Sequence, residues 1–475
     1  MNGWTLRSIA QLCEGRLANA ADPDLVVPPG AVSFDSRSIR PGELFVALRG
    51  ARDGHEFVPA AARAGAAGAI VAEDYDASAI GAGRDDASAT PAAGFALIRV
   101  PDPLAALHLW AGRHRRAMPA VVIAVTGSSG KTTTKDRLGE ILAANAPTMR
   151  TEGNWNNHIG VPLTLLHLRP EHRWGIVEIA MNHPGEIAPL ARLAAPDHVL
   201  LTTVGWAHIG AFGTREAILE EKLDAARALG ARGLFFHEAD PWLLERLPAP
   251  LRDRPRRTFG LAPGADLHPE AVEYGWEGTR FRTPYTGQVR LSCPGRGALQ
   301  AAIAASLVAR ELSIEGSTAR ASLEAARPRA LRMEPRAMGG AIAILDCYNA
   351  SPESSLAAVS FLAETPGARR RWLAFGEMRE LGASSEESHR QVGERAAAGV
   401  DGAFFFGEGC RPAREAYRAG SRPGTFAALY TSHEALAADL APRIEPGDRV
   451  LFKGARATAM ETVYEACRRR LEGRG

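Results

Sequence analysis

A glycine-bounded turn that ends in lysine and three threonines is the strongest chemical signal in the chain. Residues 121–134 read VVIAVTGSSGKTTT, and the run KDRLGEILAANA that starts at Lys135 has the pattern of a helix. A buried strand, a glycine turn and a helix N-terminus together bind phosphate, because backbone N–H groups and the helix dipole point at the anion. Lys131 would add a positive charge, and a hydroxyl such as that of Thr132 can ligate Mg²⁺. The sequence therefore predicts a nucleotide phosphate site made of Thr126, Gly127, Ser128, Ser129, Gly130, Lys131, Thr132 and Thr133.

This loop is shorter than the general P-loop, in which four residues lie between the first glycine and the Gly-Lys pair. Here only Ser128 and Ser129 separate Gly127 from Gly130. The alternative is an ordinary strand-to-helix turn, which needs a glycine but no lysine. The lysine therefore favours the phosphate site.

Two more candidate groups follow the next apolar runs along the chain. Glu178 ends the run WGIVE, and His208 lies in GWAHIGAFG after the run HVLLTTV. In open α/β sheets ligands bind at the carboxyl ends of the strands, where both residues are expected. A carboxylate there can bind Mg²⁺ directly or through water. The alternatives are an ordinary strand-end acid and a packed or surface histidine.

Three other sets of residues are weaker signals of a functional site. Lys222 lies in the helical run TREAILEEKLDAARAL among acidic residues, which by itself is typical of a solvated helix face. The asparagines in TEGNWNNHIGVPLTLL could hydrogen-bond a polar ligand through their amides, or could simply form turns. The strand end AILDCYNASPES places an acid where it could accept hydrogen bonds from a ribose. The residues concerned in these two segments are Asn154, Asn156, Asn157, Asp346, Tyr348 and Asn349.

Composition narrows the class of protein. The chain has 475 residues, of which 46% are hydrophobic and 23% charged, and these fractions are ordinary for a globular protein. A net charge of +2 gives no reason to expect binding to nucleic acid or to an anionic membrane. The five cysteines lack disulfide or metal-site spacing, no signal-peptide pattern is present, and no apolar run reaches about 18 residues. We therefore expect a cytoplasmic protein without stable membrane insertion, and we interpret the basic cluster Arg113–Arg116 as a solvated helix end.

The order of apolar and helical patterns predicts an α/β protein of three domains. Residues 1–101 combine short helices and strands in a small N-terminal α/β domain. Residues 102–327 alternate apolar runs with helical patterns, which indicates a P-loop-type, mostly parallel sheet with helices on both faces. Residues 328–475 repeat the alternation in AIAILDCY, RWLAFGE, GAFFFG and DRVLFKG, which predicts a Rossmann-like C-terminal domain. The small, polar stretch Asp76–Ala93 is expected to be a surface loop.

Nine motifs in this order resemble the Mur ligase family, the ATP-dependent enzymes that form amide bonds in peptidoglycan precursors. TGSSGKTTTKD resembles the short phosphate loop of that family, and FDSRSIRPGELFVALRGARDGHEF resembles its N-terminal UDP-binding domain. The other matching runs are GNWNNHIGVPLTLL, VEIAMNHPGEI, GWAHIGAFGT, EEKLDA, DCYNASPES, FGEMRELGASSEESH and LFKGARATAME. Several of these runs are most similar to the family member that adds D-alanyl-D-alanine to UDP-MurNAc-tripeptide. The resemblance covers nearly the whole chain.

The resemblance implies a role for each candidate residue. ATP would be held by the phosphate loop and, at its ribose, by Arg332 and Asp346. Thr132 and Glu178 would ligate one Mg²⁺ ion, and His208 would ligate a second together with Lys222 carbamylated by CO₂. The implied catalytic residues are Lys131, Glu178, His208 and Lys222. The implied substrate-binding residues are Asp35, Ser36 and Arg37, which would bind the UDP group. The remaining parts of the substrates would be bound by Asn154, Asn156, Asn157, Tyr348 and Asn349. The enzyme would be a bacterial cytoplasmic monomer that works through an acyl phosphate. Its C-terminal domain would close over ATP and exclude water from this intermediate.

The chain also departs from the family pattern. Gly297, Ala298 and Ala301 stand where the family has a histidine and two asparagines that contact adenine. Lost amide hydrogen bonds of that kind cost about 1–3 kcal/mol each when the partner is left unpaired. Smaller departures are His158 and Glu377, each in place of an aspartate, and Gly210 in place of a glutamate.

Three alternatives to the D-alanyl-D-alanine ligase remain. Another Mur ligase and a folylpolyglutamate synthase share the fold, although the N-terminal UDP-type domain argues against the folate enzyme. A non-catalytic nucleotide-binding paralogue is the third, and the intact phosphate and metal residues argue against it.

Overall fold

The structure, a computed structural model, describes residues 3–80 and 95–473. The chain forms two compact units. Unit 1 consists of Met1–Ala124, Ala146–Ile179 and Ala188–His198, and unit 2 of Val125–Asn145, Ala180–Ile187 and Val199–Gly475. The domain boundaries predicted near residues 101 and 327 divide the chain differently, and they stay a prediction. Most of the predicted loop Asp76–Ala93 lies outside the described residues, whose first range ends in a short 3₁₀-helix, Ala77–Ile80.

The first 120 residues of unit 1 form a small α/β structure. Its elements are β1 (Trp4–Thr5), α1 (Leu6–Leu12), β2 (Arg16–Ala18), β3 (Val26–Val27), β4 (Val32–Ser33), β5 (Leu44–Val46), α2 (Val58–Arg63), β6 (Gly68–Ala72), β7 (Ala96–Val100) and α3 (Pro103–Ala117). Five strands form a sheet in the order β2-β7-β6-β5-β4, in which only β2 runs antiparallel. An apolar core that includes Phe45, Val58 and Leu97 joins this sheet to α2. The predicted N-terminal α/β fold is confirmed.

The middle of the chain alternates strands with helices. Its elements are β8 (Val121–Thr126), α4 (Lys131–Ala143), β9 (Thr148–Arg150), α5 (Gly160–Leu166), β10 (Trp174–Glu178), α6 (Ile187–Ala194), β11 (His198–Leu201), α7 (Ile209–Phe212), α8 (Arg215–Arg227), β12 (Phe235–Glu238), α9 (Pro241–Arg246), α10 (Ala249–Arg252), β13 (Arg256–Phe259), β14 (Ala271–Gly275), β15 (Gly278–Thr283), β16 (Gly287–Leu291), α11 (Arg296–Glu311) and α12 (Gly316–Ala325). In unit 1, β9 and β10 pair in parallel. In unit 2, β11, β12 and β13 pair in parallel, and β14, β15 and β16 form an antiparallel meander. The apolar runs VVIAVT, WGIVE and HVLLTTV were predicted to be strands, and they contain β8, β10 and β11.

The C-terminal part of unit 2 is a second α/β sheet with its own core. Its elements are β17 (Glu334–Met338), β18 (Ala341–Asp346), α13 (Pro352–Glu364), β19 (Arg371–Gly376), α14 (Ser385–Ala397), β20 (Gly402–Phe406), α15 (Arg411–Gly420), β21 (Phe426–Tyr430), α16 (His433–Leu440), β22 (Arg449–Lys453) and α17 (Glu461–Glu472). The strand order is β17-β18-β22-β19-β20-β21, and only β17 runs antiparallel. The strands bury Trp372, Phe404 and Phe452 against α16 and α17. The predicted C-terminal α/β fold is confirmed.

One expectation about the surface is wrong. Within the cluster Arg113–Arg116 at the end of α3, His114 and Arg115 are buried. Arg115 donates hydrogen bonds to the carbonyl oxygens of Ala194 and Ala195 and pairs with Asp197 at 2.9 Å. The helix end is therefore packed against its neighbours in unit 1 rather than solvated.

All five cysteines are buried and free. Within residues 3–80 and 95–473, every helix is too short or too polar to cross a bilayer.

Candidate active site

Two glycine conformations shape the turn between β8 and α4. Gly127 has φ +146° and Gly130 has φ +80°, and Gly130 immediately precedes the first helical residue, Lys131. A Cβ atom on Gly127 would lie 2.0 Å from the hydroxyl of Thr202, so no larger residue fits there. Because α4 starts at Lys131, the unbonded N–H groups of its first turn lie at this loop. The strand, turn and helix that the sequence predicts are therefore present.

The loop is held in place by the segment that follows β11. The N–H groups of Ser128 and Ser129 donate to the carbonyl and hydroxyl oxygens of Thr203, at 2.7 and 3.0 Å. The hydroxyl of Thr202 donates to the carbonyl of Ser129 at 2.6 Å. Lys131 Nζ donates to the carbonyl of Gly127 at 2.7 Å, so the ammonium group lies over the loop. Thr132 and Thr133 follow in the same turn of α4, whereas Thr126 is fully buried. A preformed loop with one cation above it is suited to phosphate.

His208 lies at the start of α7 in a left-handed conformation, with φ +66°. Its Nδ1 lies 2.8 Å from a carboxylate oxygen of Glu380. Burial lowers the pKa of His208; Glu380 opposes this, and the positive charge of Lys131 lowers the pKa further. The ring is therefore neutral at neutral pH and keeps a nitrogen lone pair that can bind a cation.

Lys222 on α8 is 2% exposed, so its interpretation as a solvated helix face is wrong. The carboxylate of its neighbour Glu221 accepts hydrogen bonds from the N–H groups of Gly185 and Ile187, both at 2.8 Å. Lys222 Nζ donates instead to the thioether of Met181 at 3.7 Å, and a thioether is a weak acceptor. Burial lowers the pKa of Lys222 well below its usual value, and the charge of Lys131 adds to this effect. The structure thus favours an uncharged amine at Lys222.

In unit 1, Glu178 ends β10 with its side chain almost fully buried. Its carboxylate accepts a hydrogen bond from the amide of Asn156 at 2.8 Å, and its N–H donates to the hydroxyl of Thr151 at 2.9 Å. The asparagine-rich loop and the strand-end acid therefore meet. The Asn157 side chain has a different role, because its oxygen accepts from the N–H groups of Ile159 and Gly160 at the start of α5. That geometry favours the turn interpretation for Asn157. Asn154 belongs to the same loop and is exposed.

The candidate UDP-binding residues lie after β4 in unit 1. Arg37 donates to both carboxylate oxygens of Asp35, at 2.9 and 2.7 Å, and it holds the pKa of Asp35 at about 2. The Arg37 side chain is otherwise exposed. Ser36 lies between the two, partly exposed.

The third-domain candidates form one cluster in unit 2. Asp346 pairs with the buried ammonium group of Lys453 at 2.8 Å and accepts from the N–H of Met333 at 3.2 Å. Lys453 also donates to the carbonyl of Asn349 at 2.7 Å. The Arg332 guanidinium lies 4.1 Å from the centre of the Tyr348 ring. The structure therefore brings the four candidates together, and it adds Lys453, which sequence reasoning named only as part of a motif.

The stretch that departs from the family pattern begins α11. Ala298 and Ala301 are buried, and a Cβ on Gly297 would meet nothing within 4 Å. The amide in this part of the helix belongs to Gln300, which donates to the carboxylate of Glu238. Burial raises the pKa of Glu238 to about 7, and the charge of Asp240 adds to this effect.

The residues fit the predicted metal only in combination with other ligands. Across the part of the chain that the structure describes, no three His, Cys, Asp or Glu side chains form a metal cluster. Mg²⁺ is commonly bound by one or two carboxylates together with substrate phosphates and water. The buried carboxylate of Glu178 and the hydroxyl of Thr132 are oxygen ligands of the required type. His208 offers one nitrogen, since its Nδ1 faces Glu380.

Sequence reasoning missed two acids that touch this site from the C-terminal part of unit 2. Glu380 contacts His208, and Glu353 accepts from the N–H of Trp206 two residues earlier. Glu380 lies in the GEMRELG run, so its motif was visible although its contact was not.

Comparisons with known proteins match most of the chain to one family. The family model of the Mur ligase middle domain matches residues 125–309, that of the Mur ligase glutamate ligase domain matches residues 331–456, and that of the Mur ligase catalytic domain matches residues 30–115. A UDP-N-acetylmuramoyl-tripeptide–D-alanyl-D-alanine ligase of Treponema pallidum is 33% identical over 467 residues, which cover 97% of this chain and 96% of the relative.

Two solved structures are also similar over the full chain. MurF from Acinetobacter baumannii superposes with a TM-score of 0.83 at 29% identity, covering 98% of this chain and 99% of that one. MurF from Thermotoga maritima, solved in complex with ADP, gives 0.79 at 30% identity, covering 94% and 98%.

Proposed function

The chain belongs to the Mur ligase family, and we propose that it joins D-alanyl-D-alanine to UDP-MurNAc-tripeptide at the expense of ATP. The observation that carries the proposal is the likeness, over 97% of the chain, to a relative named for this reaction. The ADP found in the Thermotoga maritima structure supports ATP as the nucleotide. We also propose that the enzyme is bacterial and cytoplasmic and that it acts as a monomer.

The reaction has two steps that the loop residues can assist. The terminal carboxylate of the tripeptide attacks the γ-phosphorus of ATP, an O–P bond forms, and ADP leaves. The amine of D-alanyl-D-alanine then attacks the acyl-phosphate carbonyl, inorganic phosphate leaves, and the nitrogen loses a proton. Lys131 and the N–H groups at the start of α4 bind the β- and γ-phosphates and balance the negative charge that develops there.

The proposed metal ligands are of three chemical types. Glu178 offers a carboxylate oxygen, Thr132 a hydroxyl, and His208 an imidazole nitrogen. When bound, Mg²⁺ neutralises charge on the phosphate oxygens and orients them. Asn156 holds the Glu178 side chain in one orientation through its amide.

Lys222 is proposed to carry a carbamate. Its neutral amine nitrogen forms a bond to the carbon of CO₂ and releases a proton, which turns a buried amine into an anionic oxygen ligand. The low pKa of Lys222 supports this reaction, because only the unprotonated amine attacks CO₂. Its partner Met181 is a weak acceptor and does not hold the amine in the charged form.

Substrate roles complete the proposal. Asp35, Ser36 and Arg37 bind the UDP group, and Asn154, Asn156 and Asn157 bind the rest of that substrate, although Asn157 does so while it caps α5. In the other unit, Arg332 and Asp346 bind the ribose of ATP, and Tyr348 and Asn349 contact substrate. Lys453 positions Asp346 through their ion pair.

A coupling assay tests the function. Phosphate release from ATP is measured with UDP-MurNAc-tripeptide and D-alanyl-D-alanine, and then with single amino acids or with shorter UDP-MurNAc-peptides. We expect release only with the tripeptide and the dipeptide together, and the expected ligated product is identified by its mass. Lys131→Ala should abolish it, whereas Arg116→Ala, which removes an exposed cation in unit 1, should not. Release with a single amino acid would indicate another Mur ligase. The absence of phosphate release with every substrate pair would indicate the non-catalytic paralogue.

A further inference from the structure

A carboxylate from the C-terminal part of unit 2 lies against the ring of His208. Glu380 follows β19 in the chain, and its Oε2 is 2.8 Å from His208 Nδ1. The histidine side chain is 20% exposed and the glutamate side chain 65% exposed, so the carboxylate approaches the ring from the solvent side.

The backbone on both sides of this contact has an uncommon conformation. His208 has φ +66° and Glu380 has φ +63°, in a left-handed region that non-glycine residues seldom adopt. Such conformations persist where the surrounding contacts fix them, and they concentrate at functional sites. The two turns therefore direct their side chains at each other at a cost that other contacts must offset.

A backbone contact holds the two turns together independently of the Glu380 side chain. The N–H of Gly210 donates to the carbonyl of Glu380 at 3.2 Å. A Cβ atom on Gly210 would lie 2.9 Å from that carbonyl oxygen and 3.0 Å from the nitrogen of Gly382. Replacing the Glu380 side chain leaves this contact in place, so its effect on His208 can be measured separately from the packing of the turns.

Neighbouring charges leave the Glu380 carboxylate available to the histidine. The adjacent cation, Arg379, pairs with Glu377, whose other oxygen accepts from the N–H of Gly409 at 3.0 Å. Glu380 thus contacts the imidazole rather than its own neighbour.

A carboxylate at one ring nitrogen determines what the other nitrogen can do. When Nδ1–H donates to the carboxylate, the neutral ring carries its lone pair on Nε2, and rotation of the ring is restricted. Carboxylates placed in this way behind a metal-binding histidine raise its basicity and typically change metal affinity 10- to 100-fold.

We propose that Glu380 is a positioning residue that fixes the tautomer and orientation of His208, so that Nε2 binds the divalent cation of the ligase reaction. The inference rests on the proposed function, because it needs a cation at His208. It also has a consequence for the C-terminal part of unit 2. The cation site is complete only while the Glu380 turn touches the His208 turn, so cation binding favours that contact.

The test is a titration with Mn²⁺, monitored by electron paramagnetic resonance, of the full chain in the presence of a non-hydrolysable ATP analogue. We expect Glu380→Ala to weaken Mn²⁺ binding about 10- to 100-fold. Glu380→Gln, whose amide oxygen can still accept from Nδ1–H, should lose less. The matched control is Glu386→Ala, which removes an exposed carboxylate from the first turn of α14 and should leave the affinity unchanged.

A double-mutant comparison separates positioning from packing. In a His208→Ala background, Glu380→Ala should have no further effect on Mn²⁺ binding, because it acts through the histidine. A loss of equal size in both backgrounds would overturn the proposal, and so would unchanged affinity in Glu380→Ala when His208→Ala binds weakly. If His208→Ala itself binds Mn²⁺ normally, the metal assignment of the proposed function is wrong and the positioning role is wrong with it.

Discussion

Lysine is used sparingly in this chain, and the few lysines are in special environments. Only Lys131, Lys135, Lys222 and Lys453 occur among 56 basic residues, and the last three are at most 2% exposed. Arginine stays charged in almost any surroundings, whereas the pKa of lysine falls readily on burial. Surface charge is therefore supplied by arginine, and lysine is kept where a compact or uncharged amine has a use.

Replacing Lys222 with alanine should remove the proposed carbamate. We expect turnover to fall markedly, because the anionic oxygen ligand is lost, and to recover partly when short carboxylic acids are added that can occupy the vacated space. The measurement is phosphate release with and without acetate or formate. In the parent protein, carbon-13-labelled bicarbonate should give a carbamate signal in the NMR spectrum.

Two results would contradict the carbamate. One is a Lys222→Ala protein that folds normally, has low activity and shows no rescue by any short carboxylate. The other is a labelled parent protein whose NMR spectrum shows no carbamate signal beyond those that the Lys222→Ala variant also shows.

Glu238 should make the protein less stable as the pH rises. Its pKa is raised to about 7 by burial, so the folded chain binds a proton there that the unfolded chain releases near pH 4.5. Binding of this proton contributes at most about 3 kcal/mol to the free energy of unfolding. The contribution is fully present below about pH 4.5 and is lost as the pH rises through about 7. We therefore expect Glu238→Gln to melt at a higher temperature than the parent protein at pH 8, with a smaller difference at pH 5.

The comparison needs a control that carries the same chemical change at the surface. Glu245 on α9 is 76% exposed, and Glu245→Gln should show no such dependence on pH. A melting-temperature difference for Glu238→Gln that is the same at pH 5 and pH 8 would show that Glu238 titrates normally.

At the residue scale, the chemical role of a side chain could be predicted from the sequence more reliably than its burial. The phosphate loop was predicted because glycine, lysine and threonine at that spacing have few other uses. Lys222 was misread without the family resemblance, because its neighbours Glu220 and Glu221 imply solvent, whereas Glu221 in fact caps the start of α6. Arg115 was misread for the same reason, since its acceptors come from carbonyl groups 79 and 80 residues away in the chain.

At the element scale, the strands of unit 2 that the sequence missed lie at the edges of their sheets. In unit 2 these include β13, β17 and β21, each at the end of its sheet. An edge strand pairs on one side only and buries fewer side chains than a central strand such as β19. β17 reads EPRAM and so lacks a continuous apolar run, whereas β21 reads FAALY and is apolar but mostly half-buried. The central strands, whose ends carry the candidate site, were therefore predictable.

The approach of α7 to the turn after Glu380 depends on a glycine. A Cβ on Gly210 would overlap backbone atoms that cannot rotate away. We expect Gly210→Ala to destabilise the protein by about 1–3 kcal/mol and to weaken Mn²⁺ binding, because the two turns must move apart. Thermal unfolding and the Mn²⁺ titration measure the two effects.

Gly230 provides the matched control for this element. A Cβ there would meet nothing within 4 Å, so Gly230→Ala should change neither property. Equal behaviour of the two variants would show that the Gly210 contact is not required. The structure also explains why the glutamate expected at position 210 is absent, since no side chain fits at that position.

At the scale of the whole molecule, the two nucleotide substrates are proposed to bind to different units. The phosphate loop, α4 and the Arg332–Asn349 cluster belong to unit 2, and the candidate UDP-binding segment 35–37 belongs to unit 1. Each ligand should therefore protect a different part of the chain from hydrogen exchange, because binding lowers the population of locally open states.

Hydrogen-exchange mass spectrometry of the full chain tests this division. A non-hydrolysable ATP analogue should protect peptides that cover residues 127–134, and UDP should protect peptides that cover residues 33–37. At a concentration of about 100 times the dissociation constant, the ligand stabilises the bound form by about 2.7 kcal/mol, which slows exchange about 100-fold where exchange requires opening of the site. Lys131→Ala should remove the protection by the ATP analogue and leave that by UDP, because the ammonium group lies over the phosphate loop. Protection of residues 33–37 by the ATP analogue alone, or loss of both effects in Lys131→Ala, would show that the two nucleotides are not bound by separate parts of the chain.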